Sequence, residues 1–400
     1  MKRNSKQIVL GISITVIIFL GILPSQTLAY KYQKPNYWPD WDKWRVASPE
    51  SQGMNSTIIE QMYDVIEANE INLHSVLIVR NGYIIHEEYL TDGTYVRREE
   101  KSYDWPDAEP SSDLIDGRLH HVWSVTKSFV SLVTGIAIDM GYLDLDTKFF
   151  DVFPDKWDDA YLDPVFGDAK KNITVEHLLQ QNVGIQPWND GDPFWWYSGL
   201  SINYYLSQSM AYLPGSENPI DWTYSSANGD LLSVMIANKS GMTMEDFARK
   251  HLFKPLKIRD SEWSWMSTPS AYGTGDLGMK NQGGFGLFVT PEVMARIGLL
   301  CLNEGKWRGR QVVSEDWIVE STSSQLNPFY TFNYGYKWWV TPGKYYQAMG
   351  LNNQRIVVIP EYNIVAVFTA NEPGDSGPGA WLSPVHNLLV DTFITPAVLW

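Results

Sequence analysis

HHVWSVTKSFVSLVTGIAIDMGYL, residues His120 to Leu143, is the stretch on which the reading of this chain turns. From Ser128 onward it is almost wholly apolar, and it runs out near Gly141, as a buried helix with a glycine cap does. If the helix begins a few residues earlier, Ser124 and Lys127 share one face and lie within reach of each other. A serine hydroxyl is a weak nucleophile until a base takes its proton. A lysine held against an apolar helix can be that base, because burial disfavours its charged form. The helix N-terminus adds positive potential where negative charge would gather. The competing reading is an ordinary helix start, with Ser124 as the cap and Lys127 in solvent, and S-x-x-K is common by chance. Against it, Phe129, Val130, Leu132, Val133, Ile136 and Ile138 leave little solvated face.

Outward from this segment, SVLIVRNGYIIHEEYL (Ser75 to Leu90) places two β-type runs around Asn81-Gly82, a strong hairpin signal. RIVVIPEYNIVAVFTAN (Arg355 to Asn371) places two more around Pro360 to Asn363. Between the hairpins the chain reads mainly as helices and loops. Thr243 to Asp246 forms an N-cap signal before Phe247, Ala248, Leu252 and Phe253, and Thr290-Pro291 opens a helix running toward Gly305. The expected fold is therefore α+β: an antiparallel sheet built from N- and C-terminal segments, flanked by helices, with a helical lobe inserted. Asp104 to Asp116 and the Trp-rich stretch Pro187 to Tyr205 are candidate surface loops or lids.

With 44% hydrophobic and 19% charged residues among 400, the chain can bury a large core. Its net charge of −15 argues against a nucleic-acid partner, which requires a basic surface. Cys301, the single cysteine, cannot form a disulfide framework, a Cys-ligated zinc site or a CxxC pair. Its neighbours Leu299, Leu300 and Leu302 mark it as core. Lys2, Arg3 and Lys6 precede an apolar run from Ile8 to Leu23 and then Thr27-Leu28-Ala29, so residues 1–29 read as a cleaved signal peptide or an N-terminal membrane anchor. Residues 30–44 read as a linker and 45–400 as one catalytic domain outside the cytoplasm, secreted or anchored to the outer face of the cytoplasmic membrane. Membrane contact would come only through residues 8–23, if they are retained.

The run from His120 to Asp155 resembles the serine β-lactamase-related family of class C type, which includes β-lactamases, D-alanyl-D-alanine carboxypeptidases, family VIII esterases and 6-aminohexanoate-dimer hydrolase. The likeness continues through NITVEHLLQQNVGI (Asn172 to Ile185), WTYSSANGDLLSVMI (Trp222 to Ile236), GGFGLFVTPEVMARIGLLCLNEGKW (Gly283 to Trp307) and AMGLNNQRIVVIPEYNIVAVFTAN (Ala348 to Asn371), roughly residues 45 to 395. The resemblance implies the β-lactamase/transpeptidase-like architecture, with Ser124 as acylated nucleophile and Lys127 as its base partner. It makes Tyr224 the proton shuttle to the leaving group. A nearby Lys ammonium is expected to favour the Tyr224 phenolate. The second motif, Tyr-x-Asn in most lactamases, stands here as Tyr224-Ser225-Ser226, an arrangement similar to the 6-aminohexanoate-dimer hydrolase branch. Ser226 can still donate and accept hydrogen bonds.

The third motif, Lys-Thr-Gly in lactamases and peptidases, stands here as Ala348-Met349-Gly350. Gly350 keeps the position that permits close substrate approach, and the N–H groups of Ser124 and Leu351 would form the oxyanion hole. The cation and hydroxyl that would hold a substrate carboxylate are missing, and an unpaired carboxylate in a partly dry cleft is costly. An exported serine hydrolase of a small-molecule ester or linear amide therefore ranks above a D-alanyl-D-alanine carboxypeptidase or β-lactamase, and above a non-catalytic binding relative. No metal or organic cofactor is implied. Gly374 to Pro378 resembles a chymotrypsin-like nucleophile segment but lacks the matching His motif, and no G-x-S-x-G is present. The chain holds 18 Trp, and Trp188, Trp195, Trp196 and Tyr197, with Trp338 and Trp339, are expected either to line the acyl-binding cleft or simply to pack loops.

Overall fold

The computed structural model describes residues 38–39, 43–69, 71, 73–90, 119–186, 202–218, 221–266, 281–328, 332–370 and 384–400. In chain order the first elements are α1 (Ser56–Ala68), β1 (Leu73–Arg80), β2 (Tyr83–Tyr89), β3 (His120–His121), α2 (Val125–Asp139), α3 (Phe149–Val152), α4 (Val175–Gln180) and α5 (Ile202–Ser207). Next come α6 (Ala227–Ser240), α7 (Met244–Ala248), β4 (Trp263–Trp265), β5 (Leu287–Val289), α8 (Pro291–Leu302), β6 (Lys306–Trp307), β7 (Arg310–Gln311) and α9 (Glu315–Ser321). The chain closes with β8 (Asn333–Tyr334), β9 (Trp339–Thr341), β10 (Tyr345–Gly350), β11 (Gln354–Ile359), β12 (Ile364–Ala370) and α10 (Pro384–Leu389).

Asn81 and Gly82 both have positive φ, 55° and 83°, which a two-residue hairpin between right-twisted strands requires. Their turn joins β1 to β2 at the edge of a seven-stranded sheet of order β2-β1-β12-β11-β10-β9-β8. Every pairing in it is antiparallel, and β1 lies directly on β12 with Val76 opposite Phe368 and Ile78 opposite Ala366. The two ends of the domain thus meet as the second and third strands of the sheet, as expected for a sheet built from N- and C-terminal segments.

Successive side chains of a strand point to opposite faces, and the buried residues divide accordingly. Ile364, Ala366 and Phe368 of β12 join Val357 and Ile359 of β11 against Ile59, Met62 and Ile66 of α1 and Leu389, Val390 and Phe393 at the C-terminal end. The opposite face carries α8 and α2. Gly298 permits the close approach of α8, since a β-carbon there would stand 2.3 Å from Val365 Cγ1. Beyond α2, α6 packs against α2, α3, α4 and α7, which makes the helical lobe. All of these elements belong to one compact unit, Gln33–Trp400.

Several local details differ from expectation. Residue Thr243 caps α7 through its hydroxyl, but the helix widens into a π-type turn over Arg249–Phe253. Thr290 likewise caps α8, which ends at Leu302, short of Gly305. Asp104 to Asp116, residues 187–201, Gly374 to Pro378 and residues 1–29 lie outside the described residues. Among the described residues no helix is long and apolar enough to cross a membrane.

Candidate active site

The segment that delivers Ser124 is a strand, a strained turn and a helix. His121 pairs with Phe288 across β3 and β5. Trp123 then takes φ 49°, a left-handed conformation that costs a bulky residue about 1–3 kcal/mol. Stacking offsets that cost: the Trp123 ring lies on His121 at 4.0 Å, and His121 lies on Phe288 at 4.5 Å. The Phe285 carbonyl can only accept, so His121 Nε2 donates to it, at 2.7 Å. Burial pushes His121 down to about 4, which keeps this ring neutral. The turn leaves Ser124 at the cap position of α2, but its hydroxyl makes no capping bond to the helix. It faces Lys127 and Tyr224 instead.

Lys127, one turn into α2, is 1% exposed. Its Nζ lies 3.0 Å from Ser124 Oγ, 3.1 Å from Ser226 Oγ and 2.6 Å from the Gly284 carbonyl. The carbonyl must accept, so it fixes one N–H of the amine, while either hydroxyl can donate or accept. Burial lowers the Lys127 amine to about 7, with Asp230 opposing. An amine in that range is substantially unprotonated at neutral pH and can accept a proton from Ser124.

Tyr224 and Ser226 come from the segment leading into α6. The Tyr224 side chain hydrogen-bonds Ser124. Its ring lies 4.7 Å below Lys127 Nζ and stacks against Trp339 at 6.0 Å and 28°. Trp222 and Tyr334 complete the aromatic surround. The expected phenolate at Tyr224 is overturned: burial raises this hydroxyl above the usual tyrosine range and outweighs its bond to Ser124. The neighbouring lysine, itself driven toward the neutral amine, supplies too little positive charge to reverse this. Tyr224 therefore rests as a phenol, ready to donate.

Gly350, at the end of β10, lies beside the nucleophile. A β-carbon at that position would stand 2.3 Å from the Val122 carbonyl oxygen and 3.3 Å from the Ser124 nitrogen, so no side chain fits. Leu351 begins the short helical turn that follows. Ala348 and Met349 are buried, at 0% and 4% exposure, and Met349 packs with Phe332, Tyr334 and Trp339. Trp338, expected in the cleft wall, precedes β9, has no exposed surface and packs edge-on against Tyr346; its neighbour Trp339, the first residue of β9, touches the site. Trp188, Trp195 and Trp196 lie outside the described residues.

Three contributors were not singled out from the sequence. Gly284 accepts from Lys127 through its carbonyl and donates to Asp230 Oδ1 through its N–H at 3.0 Å. Asp230, buried on α6, is raised to about 7 by desolvation, with the Gly284 N–H and Lys127 opposing. Its signal was the one carboxylate of α6, one turn beyond Ser226. Gln181, after α4, accepts from the Ser225 N–H at 3.1 Å, and nothing local distinguished it from Gln180. Among the described residues no group of three or more His, Cys, Asp or Glu is placed to hold a metal ion.

Residues 70–383 match the family model described as Beta-lactamase. The 6-aminohexanoate-dimer hydrolase of Paenarthrobacter ureafaciens is 22% identical over 298 residues, which covers 68% of this chain and 71% of that protein. A solved family VIII carboxylesterase superposes with a TM-score of 0.62 at 13% identity, covering 88% of this chain and 99% of its own. The penicillin binding protein from Bacillus halodurans superposes with a TM-score of 0.57 at 18% identity, covering 82% and 98%. Since the family match spans most of the chain and the fold agrees with it, this protein belongs to the β-lactamase family of serine hydrolases.

Proposed function

We propose that the protein is an exported hydrolase of esters or linear amides that works through an acyl group on Ser124. Ser124 Oγ adds to the substrate carbonyl carbon as its proton passes to Lys127 Nζ. The N–H groups of Ser124 and Leu351 receive the oxyanion. As the tetrahedral species collapses, the bond to the leaving oxygen or nitrogen breaks. The Tyr224 hydroxyl protonates the leaving group and is recharged from Lys127, which Ser226 helps to hold. Water then repeats the addition and frees Ser124.

The observation that carries this reading is the buried Lys127 amine 3.0 Å from Ser124 Oγ. The preference for substrates without a carboxylate is supported by the apolar pair Ala348 and Met349 where the family's carboxylate-binding residues stand. Trp188, Trp195 and Trp196, outside the described residues, are proposed to belong to an apolar, ring-lined acyl-binding surface. Trp195→Ala and Trp196→Ala should then alter chain-length preference among p-nitrophenyl esters. Export is supported by the basic start and the apolar run at residues 8–23. N-terminal sequencing of the protein recovered outside the cytoplasm checks it, and an intact Met1 on purely cytoplasmic protein rejects it.

The catalytic claim is tested with a fluorophosphonate probe on wild type and Ser124→Ala. Labelling confined to wild type is the expected result, and labelling that ignores the substitution rejects it. A short-chain p-nitrophenyl ester should be cleaved faster than nitrocefin; the reverse order would favour lactamase activity.

A further inference from the structure

Tyr224 lies in no regular element, yet its hydroxyl must hold one direction to stay on Ser124. Gln181 is bonded to the chain on both sides of it. The Gln181 carbonyl accepts from the Thr223 N–H at 3.3 Å, and its side-chain Oε1 accepts from the Ser225 N–H at 3.1 Å. The same Oε1 accepts from Asn228 Nδ2 in the first turn of α6. Gln181 Nε2 is buried with no hydrogen-bond partner among the described residues, so Oε1 carries the side chain's bonds, and the ring of Tyr334 stands nearly perpendicular to Tyr224 at 6.4 Å. One position earlier, the Gln180 carbonyl accepts from Trp222 Nε1 at 3.0 Å.

The backbone of Gln181 makes the choice of residue informative. It caps α4 with φ 64° and ψ 28°, the left-handed conformation in which glycine is usual. A side chain there costs roughly 1–2 kcal/mol, and glycine would remove that cost. Yet the position holds a long amide that is 0% exposed. A buried polar side chain at a strained cap is explained by the bonds it makes.

We propose that Gln181 is a positioning residue for acyl transfer: it fixes Tyr224-Ser225-Ser226 so that the tyrosine hydroxyl meets Ser124 and the Ser226 hydroxyl meets Lys127. The catalytic consequence rests on the hydrolase reading above, whereas the positioning itself does not.

Two variants separate this role from simple capping. Gln181→Met keeps the bulk and removes the acceptor, and Gln181→Gly suits the backbone and removes the side chain. Both should lower kcat for a p-nitrophenyl ester by about 100-fold, the penalty of a misplacement near 1 Å. KM should change by no more than about threefold, as for an interaction made in the transition state. If Gln181 only ends the helix, Gln181→Gly is more stable and keeps its kcat, and that result overturns the proposal. A crystal structure of either folded variant reads the positioning without turnover. A Tyr224 hydroxyl displaced from Ser124 upholds it, and an unmoved Tyr224 overturns it. Should wild type show no Ser124-dependent turnover, the hydrolase reading falls, and the crystal structure still decides the role of Gln181.

Discussion

At the scale of single residues, protonation state decides what the site can do. Lys127 serves Ser124 only as a free amine, and burial brings it to about 7. The reactive form is lost as pH falls through that value, so kcat/KM for an ester should drop about tenfold per unit below pH 7 and level off above it. A pH profile from 5 to 9 checks this; a flat profile would mean that Lys127 is not the base. Tyr224 is held as a phenol, so it titrates only in strong alkali and contributes no alkaline limb between pH 5 and 9. Tyr224→Phe should lower kcat by about 10²–10⁴-fold, the usual contribution of a positioned proton donor, and stopped-flow comparison with wild type measures it. The Ser124 and Lys127 pairing was legible from their spacing on an apolar helix. The state of Tyr224 was not, because it depends on how deeply Trp222, Tyr334 and Trp339 bury the ring.

At the scale of elements, the site depends on how closely helices and strands approach. The hairpin at Asn81-Gly82, the caps at Thr243 and Thr290 and the apolar face of α2 were readable, because each follows from neighbours a few positions apart. The contact of α8 with the sheet was not, because it is set by Gly298 against Val365, which pairs with Val358 in the sheet register. Gly298→Ala should overpack this contact and cost about 1–3 kcal/mol, seen as a lower urea midpoint with unchanged slope. An unaltered midpoint would mean that α8 shifts freely on the sheet. Trp338 and Trp339 show the limit of composition as a guide: neighbours where β9 begins, they pack on different partners, Trp338 on Tyr346 and Trp339 on Tyr224.

At the scale of the whole molecule, sheet and helical lobe enclose ionisable groups that solvent does not reach. Lys337 is 1% exposed and its Nζ has no hydrogen-bond partner among the described residues. Burial holds its amine well below the usual lysine range, Lys127 acting the same way and Asp230 opposing. The unfolded chain therefore binds a proton that the folded chain refuses. Stability from this group is lowest at and below its folded value and rises with pH toward about 10.5. Lys337→Met should be more stable than wild type at pH 7, with the difference shrinking by pH 10; urea midpoints at both values test it, and a constant difference would contradict it. By itself, the sequence determined the serine and lysine on one helix, the two hairpins and the fold they imply, since those signals lie within one or two turns or strands. The tertiary structure alone decided which distant groups complete the site. Ser226 lies 99 positions from Lys127 and Gly284 lies 157, and no local periodicity reports a contact over such separations. It also decided the charge on Lys127, Tyr224 and Asp230, because desolvation is a property of the packed whole and not of any segment.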